Sequence, residues 1–357
     1  MAYRIIPYGD LRAFCLRLFP CYGFSAKESG LIADVLLAAD LRGIESHGVQ
    51  RLNRYHREIR SGMVKVDAEP KTVFETKLSA VIDAGDAMGQ LAAHSAMSLA
   101  IKKAEAVGVG MVAVRNSNHY GIAGYYAGMA LEHDLMGVCM TNTEAITVPT
   151  FARQAMLGTN PIALAMPAEP VPFLFDAATT VVPRGKLEVY NKQGKPAPAG
   201  WMLDENGLET SDTEHVLHNI IHKLGGGILP LGGAGEETSG YKGYGFGLMC
   251  ELFTAVLSGG TTSDEIYKKP GGSGIAHFFM AADYGLFGDK AKTRDSFSAY
   301  LQKLRDAKKA EGQERVYIHG EKEGESQREK MSCGIPVQEK TFGEMAAIAG
   351  EMGIEAL

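Results

Sequence analysis

The fold is decided by the stretch Gly108-Val-Gly-Met-Val-Ala-Val-Arg-Asn-Ser-Asn-His-Tyr-Gly121, in which an apolar run ends in a cluster of polar side chains. Residues 111–114 are too few and too β-branched for a helix, so they predict a buried strand. Residues 115–120 then form a polar loop, and the spacing after Gly121 predicts a helix. In open α/β sheets, ligands bind beyond the carboxyl ends of strands, so this loop is a candidate binding position.

His119 lies in this loop between side chains that can form hydrogen bonds. An imidazole at such a position can exchange a proton with a ligand near neutral pH, which makes His119 the first candidate for an acid/base residue. The alternative is a loop histidine whose ring is satisfied by neighbouring amides. The stretch alone leaves both interpretations open.

A second polar cluster lies near the N-terminus, where residues 45–60 predict a helix. His47, Arg51 and Tyr55 are spaced at i, i+4 and i+8, so all three project from one face of that helix. Three different hydrogen-bonding groups in a row favour a carboxylate-binding site, because the planar guanidinium of arginine matches a carboxylate. The alternative is a polar helix surface on which Arg51 pairs with an acidic neighbour.

The remaining pattern predicts an α/β chain in which several strands carry Thr, Asn or Asp at one edge of a sheet. Paired strands at 72–75 and 80–83 precede a long helix at 89–107, and later strands are expected at 136–143, 158–167, 172–180 and 275–282. A loop region covers 259–274. Helices are also expected at 184–192 and 294–309, and Thr341-Phe-Gly-Glu344 has the spacing of a capping box that opens the last helix.

Composition excludes several classes of protein. The chain has 357 residues and 45% hydrophobic residues, enough for a large core in one large domain or two. A net charge of -6 argues against nucleic-acid binding, which needs clustered positive charge. The five cysteines are scattered and odd in number, so no disulfide framework is indicated. Without an apolar leader or a stretch long enough to cross a membrane, we expect a soluble cytoplasmic protein with no membrane contact.

Familiar site motifs are missing from the sequence. No G-x-G-x-x-G lies between a strand and a helix, and no Gly-Lys-Ser/Thr of a phosphate-binding loop occurs. No H-E-x-x-H or comparable ligand set indicates a metal site. The G-x-S-x-G elbow of hydrolases is also missing, although a Ser/His/Asp hydrolase is not excluded by residue types.

A family resemblance rests on motifs that occur in order along the chain: Ser46-His-Gly-x-x-Arg51-x-x-x-Tyr55, Asn116-Ser-Asn-His119-Tyr-Gly, Gly158-Thr-Asn-Pro161, Asp176-Ala-Ala-Thr-Thr180 with Arg184-Gly-Lys186, Leu229-Pro-Leu-Gly-Gly233 and Tyr241-Lys-Gly-Tyr-Gly. Together they resemble the malate/L-lactate dehydrogenase family, which also contains sulfolactate, ureidoglycolate and diketogulonate enzymes. The resemblance runs from about residue 5 to the C-terminus.

The resemblance implies NAD(P)-dependent interconversion of 2-hydroxy and 2-keto acids. It implies an α/β fold with a non-Rossmann nicotinamide-binding domain built on a mixed sheet, and a helical domain formed by the N- and C-terminal segments. The expected boundaries are 1–74, completed by 290–357, for the helical substrate and dimer domain, and 75–289 for the cofactor-binding domain. A homodimer is also implied, and the long N-terminal helical segment is expected to leave apolar area for the second subunit.

The resemblance assigns roles by motif position. His119 is the expected proton donor and acceptor, His47 is a second candidate for that role, and Ser46, Arg51 and Tyr55 are expected to contact the substrate. The residues expected along the cofactor are Thr143, Asp176, Ala177, Ala178, Tyr241, Lys242, Gly320 and Glu321. The family often has Pro-Gly-Glu where this chain has His319-Gly-Glu321, so the choice of NAD or NADP stays open, with NAD favoured.

The preferred substrate is malate, with sulfolactate, L-lactate and ureidoglycolate as alternatives. An imine or diketo acid reductase on the same scaffold is a further alternative, as is a dimeric binding protein without chemistry. A dicarboxylate needs a second cation besides Arg51, which Arg115, Lys186 or a residue of the other subunit could supply.

Overall fold

The computed structural model describes residues 2–268 and 271–357, so Met1 and two residues of the predicted loop 259–274 lie outside the described chain. The fold is α/β. The strands are β1 Tyr3–Ile6, β2 Lys71–Glu75, β3 Ser79–Asp83, β4 Val109–Ser117, β5 Met136–Thr141, β6 Ile162–Met166, β7 Phe173–Ala177, β8 Met202–Leu203, β9 Gly227–Ile228, β10 Ile275–Ala282 and β11 Ile335–Gln338. The α-helices are α1 Tyr8–Leu18, α2 Ala26–Leu41, α3 Leu52–Arg60, α4 Gly89–Val107, α5 Ala123–Met129, α6 Arg184–Lys192, α7 Thr213–His222, α8 Gly240–Glu251, α9 Lys290–Arg305, α10 Glu321–Cys333 and α11 Glu339–Met352.

A seven-stranded mixed sheet organises the chain, with strand order β2-β3-β4-β10-β5-β6-β7. Strands β3 and β4 pair in parallel, and the other neighbours in this order pair antiparallel. The expected mixed sheet is therefore confirmed. Strand β4 is longer than the predicted 111–114, because it continues through the first polar residues to Ser117.

Small residues let helices α4 and α5 approach one face of the sheet. The buried face of α4 is rich in alanine, and a methyl group at Gly110 in β4 would lie 2.1 Å from the carbonyl oxygen of Ala100. On the opposite face, Cys250 of α8 and Phe253 of the following π-helical turn pack against Phe278 of β10. Both faces of the sheet are thus buried, as its near-continuous apolar strands require.

The N-terminal helices bury their apolar side chains against the C-terminal segment. Strand β1 pairs with β11, and the core between them joins Leu11 and Ile32 to Met345 and Ile348 of α11. Helix α11 and strand β11 cover this apolar face within one chain, and the expectation that further apolar area is left for a second subunit stays a prediction.

Some predicted helix ends are shifted. Helix α11 begins at Glu339 after the N-cap Gln338, so the predicted capping box at Thr341 does not open it. Helix α9 ends at Arg305, earlier than the predicted 309. Close packing explains two glycines of α8, since a methyl group would lie 1.9 Å from the Gly233 oxygen at Gly240 and 2.3 Å from backbone atoms of Leu231 at Gly243. At Gly245 no atom lies within 4 Å of the added methyl group.

The polar ends of several strands meet at one edge of the sheet. In register, Ser117 at the end of β4 lies opposite Ile275, and Thr141 at the end of β5 lies opposite His277. Ala177 at the end of β7 lies opposite the first residue of β6. The prediction that these polar ends share one edge is confirmed, with β6 beginning there instead of ending there. No helix of the described chain is long and apolar enough to cross a membrane.

The close approach of α5 to β5 generates a stability prediction. A methyl group at Gly137 would lie 2.1 Å from the carbonyl oxygen of Ala127, so we expect Gly137→Ala to lower the free energy of unfolding by about 1–3 kcal/mol. The matched control is Gly128→Ala in α5, where no atom lies within 4 Å of the added methyl group. This variant should gain about 0.5–1 kcal/mol in urea unfolding, because alanine favours the helix. Equal stability of the two variants would contradict the packing.

Candidate active site

His119 lies at the polar edge of the sheet, two residues after β4 ends, and its ring is half-buried. The Tyr55 hydroxyl lies 2.7 Å from His119 Nδ1, and the His47 ring stacks on the His119 ring with centroids 5.5 Å apart. In the described part of the chain, Nε2 of His119 has no hydrogen-bond partner. The structure therefore brings together three residues that the sequence singled out in two separate clusters.

His47, Arg51 and Tyr55 do not lie on one continuous helix, so the prediction of a helix over 45–60 is wrong in that respect. The segment forms a 3-10 turn at Glu45–His47, a second 3-10 turn at Val49–Arg51, and then α3. The spacing i, i+4, i+8 brought the right residues together, but the backbone bends at Gly48 between the first two.

The bend at Gly48 is explained by Asp40, a buried residue near the end of α2. Its Oδ2 accepts a hydrogen bond from the backbone N–H of Val49 at 2.8 Å, and a methyl group at Gly48 would lie 1.9 Å from its Oδ1. Burial raises the pKa of Asp40 to about 7. Sequence reasoning missed Asp40, whose only signal is an acid at an otherwise apolar position of α2.

Arg51 points its guanidinium into a cavity of about 640 Å³. Its Nε donates to the backbone oxygen of Ser46, and within the described residues its two terminal nitrogens have no hydrogen-bond acceptor. The Ser46 hydroxyl lies 2.9 Å from His47 Nδ1. The cavity is lined by Ser46, His47, Arg51, Arg54, Arg57, Glu58, Ser61, Met63, His119, Thr143, Glu144, Ile146, Thr159, Pro183, Arg184, Gly185, Glu188, Tyr267 and Ile275.

Further charged residues of the cavity were not identified as site residues from the sequence. Arg54 Nε lies 2.7 Å from Glu58, and its Nη2 donates to the Tyr267 hydroxyl. Arg184 Nε lies 3.0 Å from Glu188 one turn later in α6. Both ion pairs are visible as i, i+4 pairs in the sequence, but only the fold places them in the same cavity.

Both histidines of the cavity have lowered pKa values. Burial, together with the charges of Arg51 and Arg54, lowers the pKa of His47 to about 3. Burial and the charges of Arg54, His47 and Arg51 lower the pKa of His119 well below its usual value. Both imidazoles are therefore neutral at neutral pH while no anion lies beside the arginines.

Thr143, expected along the cofactor, lines the same cavity as His119, and from it a row of hydrogen bonds leads to α8. The backbone N–H of Thr159 donates to Thr143 Oγ1, and the N–H of Thr179 donates to the Thr159 oxygen, both at 2.9 Å. The N–H of Leu231 then donates to the Thr179 oxygen at 2.9 Å, and Leu231 contacts the first turns of α8. Ala178 directly precedes Thr179 in the sequence. Tyr241 and Lys242 lie in the first turn of α8.

Asp176 lies near the C-terminal end of β7, and residues 320–321 lie near the N-terminal end of the same strand. Asp176 Oδ2 accepts from the backbone N–H of Gly124 at 2.6 Å, and burial raises the pKa of Asp176 to about 6. Ala177 is the last residue of β7. Gly320 packs against the other end of the strand, where an added methyl group would lie 3.1 Å from the Pro172 oxygen. The structure thus places the expected cofactor residues along β7 and the adjoining edge of the sheet.

The Glu321 carboxylate is engaged within the chain. It lies 2.6 Å from Arg305 and 3.0 Å from Arg315, and it accepts from the backbone N–H of Ile318. Its contacts hold the loop before α10 in place. Elsewhere in the described chain, no three His, Cys, Asp or Glu side chains are grouped in a way that could hold a metal ion.

Two histidines beside a guanidinium with free terminal nitrogens define a site for acid–base chemistry on a small anion.

The family model described as malate/L-lactate dehydrogenase matches residues 6–346. The chain is 42% identical to the malate dehydrogenase of Pyrococcus horikoshii, over 99% of this chain and 96% of that protein. It is 35% identical to the L-sulfolactate dehydrogenase of Methanocaldococcus jannaschii, over 93% of each chain. Its fold matches the crystal structure of malate dehydrogenase from Entamoeba histolytica with a TM-score of 0.95 and 31% identity, over 99% of each chain.

The chain therefore belongs to the malate/L-lactate dehydrogenase family, as the motifs of the sequence suggested. Its members are hydroxy acid dehydrogenases, and the family implies a nicotinamide cofactor.

The lowered pKa values generate a prediction for the enzyme without ligands. Between about pH 8 and pH 5, the ring signals of His47 and His119 in NMR spectra should remain those of neutral imidazoles. His215 is the internal control, because its hydrogen bond with Glu205 raises its pKa, so it should protonate in this range. Replacing the neighbouring cation by Arg51→Gln should raise the pKa of His47 and leave His215 unchanged. Protonation of His119 together with His215 would contradict the electrostatics of the cavity.

Proposed function

We propose that this chain is an NAD(P)-dependent dehydrogenase that interconverts malate and oxaloacetate, with NAD as the preferred cofactor. The observation that carries this proposal is the joint placement of His119 and Arg51 in one cavity of a family whose members act on 2-hydroxy acids. The identity of 42% to a malate dehydrogenase supports malate as the substrate.

Arg51 is proposed to hold the 1-carboxylate of the substrate. Its Nε is fixed by the Ser46 oxygen, so the two terminal nitrogens are presented to the cavity in one orientation. Two parallel N–H donors match the two oxygens of a carboxylate, which fixes the direction of the neighbouring C2 atom. Ser46 also lines this cavity, whereas the buried Tyr55 does not, so we propose that Tyr55 acts through its contact with the His119 ring instead of contacting the substrate.

His119 is proposed to exchange the proton of the C2 oxygen through Nε2. The contact of Nδ1 with the Tyr55 hydroxyl orients the ring and leaves Nε2 towards the cavity. In the reduction, Nε2 donates a proton to the carbonyl oxygen, while in the oxidation the neutral ring accepts it. The hydride comes from the reduced nicotinamide when the cofactor is bound. His47, stacked on His119, is the second candidate for the proton donor.

A bound substrate changes the charge that His119 experiences. In the cavity without an anion, Arg51 and Arg54 lower the pKa of His119. A carboxylate on Arg51 offsets one of these positive charges, so the pKa of His119 rises when the keto acid binds. The proton needed for the reduction is therefore taken up with the substrate.

The residues present fit a nicotinamide cofactor. A large cavity beside His119 has hydroxyl groups of Thr143 and Thr159 in its wall, which can hold amide and ribose groups. We propose that Thr143, Asp176, Ala177, Ala178, Tyr241, Lys242, Gly320 and Glu321 line the cofactor site. NAD is favoured over NADP because Arg305 and Arg315 already pair with Glu321 and Glu325, so these two guanidinium groups are not free to bind a 2′-phosphate.

We also propose the domain division 1–74 with 290–357, and 75–289, with the cofactor held by a non-Rossmann sheet. The largely antiparallel pairing supports this, because a Rossmann sheet is parallel. The core shared by β1, α1–α3, β11 and α11 supports a helical unit built from both ends of the chain. The five free thiols fit the reducing conditions of a cytoplasm.

A homodimer is proposed through the outer face of α8 and the π-helical turn that follows it. Leu248, Leu252 and Val256 are spaced by four residues and are each about half exposed, at 50%, 48% and 58%. A row of exposed apolar side chains on one helix indicates an interface, and a second copy would cover it by symmetry. The row begins beside Tyr241 and Lys242, so dimerisation would also shape the proposed cofactor site.

The proton donor is tested by His119→Ala. We expect turnover of oxaloacetate with NADH to fall about 10²–10⁴-fold, because proton transfer by a side chain contributes that much, while binding of NADH is retained. His133→Ala is the control, since His133 is a surface residue paired with Glu105. If His119→Ala keeps the turnover of the native enzyme and His47→Ala loses it, the proton comes from His47. A native enzyme that binds both ligands without turnover would indicate a binding protein.

The dimer is tested by light scattering coupled to size-exclusion chromatography at assay concentration. We expect the mass of two chains for the native protein, and the mass of one inactive chain for the double variant Leu248→Lys/Leu252→Lys. Leu208→Lys changes an equally exposed leucine elsewhere and should remain a dimer. A fully active monomer would refute the proposal, because the site would then be complete within one chain.

A further inference from the structure

A substrate with an acid group at both ends needs a second cation in the cavity, and the structure rules out two candidates from the sequence. Arg115 Nε lies 3.0 Å from Asp83, and Arg115 does not line the cavity of His119. Lys186 Nζ lies 5.5 Å from the centre of the Trp201 ring, also outside the cavity lining. Within this chain, the second cation must therefore be sought among the arginines that line the cavity.

Arg54 is unavailable for this role, because its guanidinium is already occupied. It pairs with Glu58 at 2.7 Å with little solvent exposure, and it also donates to the Tyr267 hydroxyl. Drawing a partly buried cation away from its carboxylate would leave that carboxylate unpaired, which is strongly unfavourable. Arg54 therefore contributes positive charge to the cavity but stays with Glu58.

Arg184 differs from Arg54 in its greater solvent exposure and in having fewer side-chain partners. It is the first residue of α6 and lines the cavity, and its side chain bonds through Nε alone to Glu188 at 3.0 Å. The two side chains are 36% and 41% exposed, and an exposed pair of this spacing is held only weakly. Within the described chain, the terminal nitrogens of Arg184 have no acceptor. The guanidinium can thus exchange Glu188 for a ligand at small cost.

The position of Arg184 relative to Arg51 suits a short substrate. Both arginines line the same cavity, and the charge of Arg184 contributes to the lowered pKa of Arg51, so the two groups are close enough to interact. Two cations in the wall of one cavity are matched by a molecule with an anionic group at each end. A molecule with one carboxylate would satisfy Arg51 and leave Arg184 with Glu188.

We propose that Arg184 binds the distal anionic group, a carboxylate or a sulfonate, of a 2-keto acid whose 1-carboxylate is held by Arg51. Glu188 holds Arg184 in place until the distal group replaces it, and a substrate without a distal anionic group gains no binding energy from Arg184. This inference rests on the proposed function, and it makes the enzyme selective for oxaloacetate or sulfopyruvate over pyruvate.

The test measures KM and kcat for oxaloacetate, sulfopyruvate and pyruvate with NADH and NADPH. Arg184→Gln should raise KM for the substrate with the matching distal group about 10- to 100-fold, as expected for the loss of a charge-assisted hydrogen bond, and leave KM for pyruvate unchanged. Arg51→Lys should raise KM for every substrate in the panel, because the 1-carboxylate is common to all. Arg12→Gln is the matched control, because Arg12 pairs with Asp34 at 3.0 Å with similar exposure, 37% and 43%, and does not line the cavity, so it should change neither value. Comparison of oxaloacetate with sulfopyruvate identifies the distal group.

A second measurement separates this inference from the proposed function. Binding of L-malate, L-sulfolactate and L-lactate to the protein without cofactor is measured by calorimetry for native protein and Arg184→Gln. Weaker binding of malate or sulfolactate alone supports the inference even if no substrate is turned over, which would by itself refute the proposed function. Equal effects of Arg184→Gln on all three acids, or no effect on any, would overturn the inference and leave the dehydrogenase activity untouched.

Discussion

The site depends on one buried carboxylate, that of Asp40. Its bond to the backbone N–H of Val49 holds the two turns that carry His47 and Arg51, which line the cavity. The end of α2 is itself held by α10. Lys330 Nζ donates to the backbone oxygen of Asp40 at 2.8 Å, and the Ser326 hydroxyl donates to the backbone oxygen of Leu41. Helix α10 begins after Gly320, which packs on β7. The two ends of the chain therefore fix the N-terminal half of the site jointly.

Much of the fold could be predicted from the sequence, because local patterns determine it. Alternation and β-branching indicated the strands, and the polar residues at 117, 141 and 176 indicated one common edge, which the register confirms. Six short motifs in order were enough to identify the family. Helix ends were less accurate, since Glu339 begins α11 two residues before the capping box that the sequence predicts at Thr341.

The remainder of the site depends on contacts between distant segments, which no local pattern contains. A period of 3.6 residues cannot show that the backbone bends at Gly48, because the bend is imposed by Asp40 from another helix. The pair of Arg184 and Glu188 was visible as a spacing, but only the fold shows that it lines the same cavity as Arg51. The exposed apolar row Leu248, Leu252 and Val256 was not predicted either, because the glycine spacing of α8 indicates only the side of the helix that packs closely.

The charge balance of the cavity links these features to the chemistry. Burial and the positive charges of Arg51 and Arg54 lower the pKa values of His47 and His119. By thermodynamic linkage, an anion that raises the pKa of His119 must bind more tightly to the protonated site than to the neutral one. Keto acid binding is therefore strengthened as the pH falls, whereas hydroxy acid oxidation needs the neutral ring. In the proposed mechanism, the lowered pKa keeps His119 neutral and able to accept a proton in the site without ligands, and a bound anion raises that pKa so that the same residue can donate one.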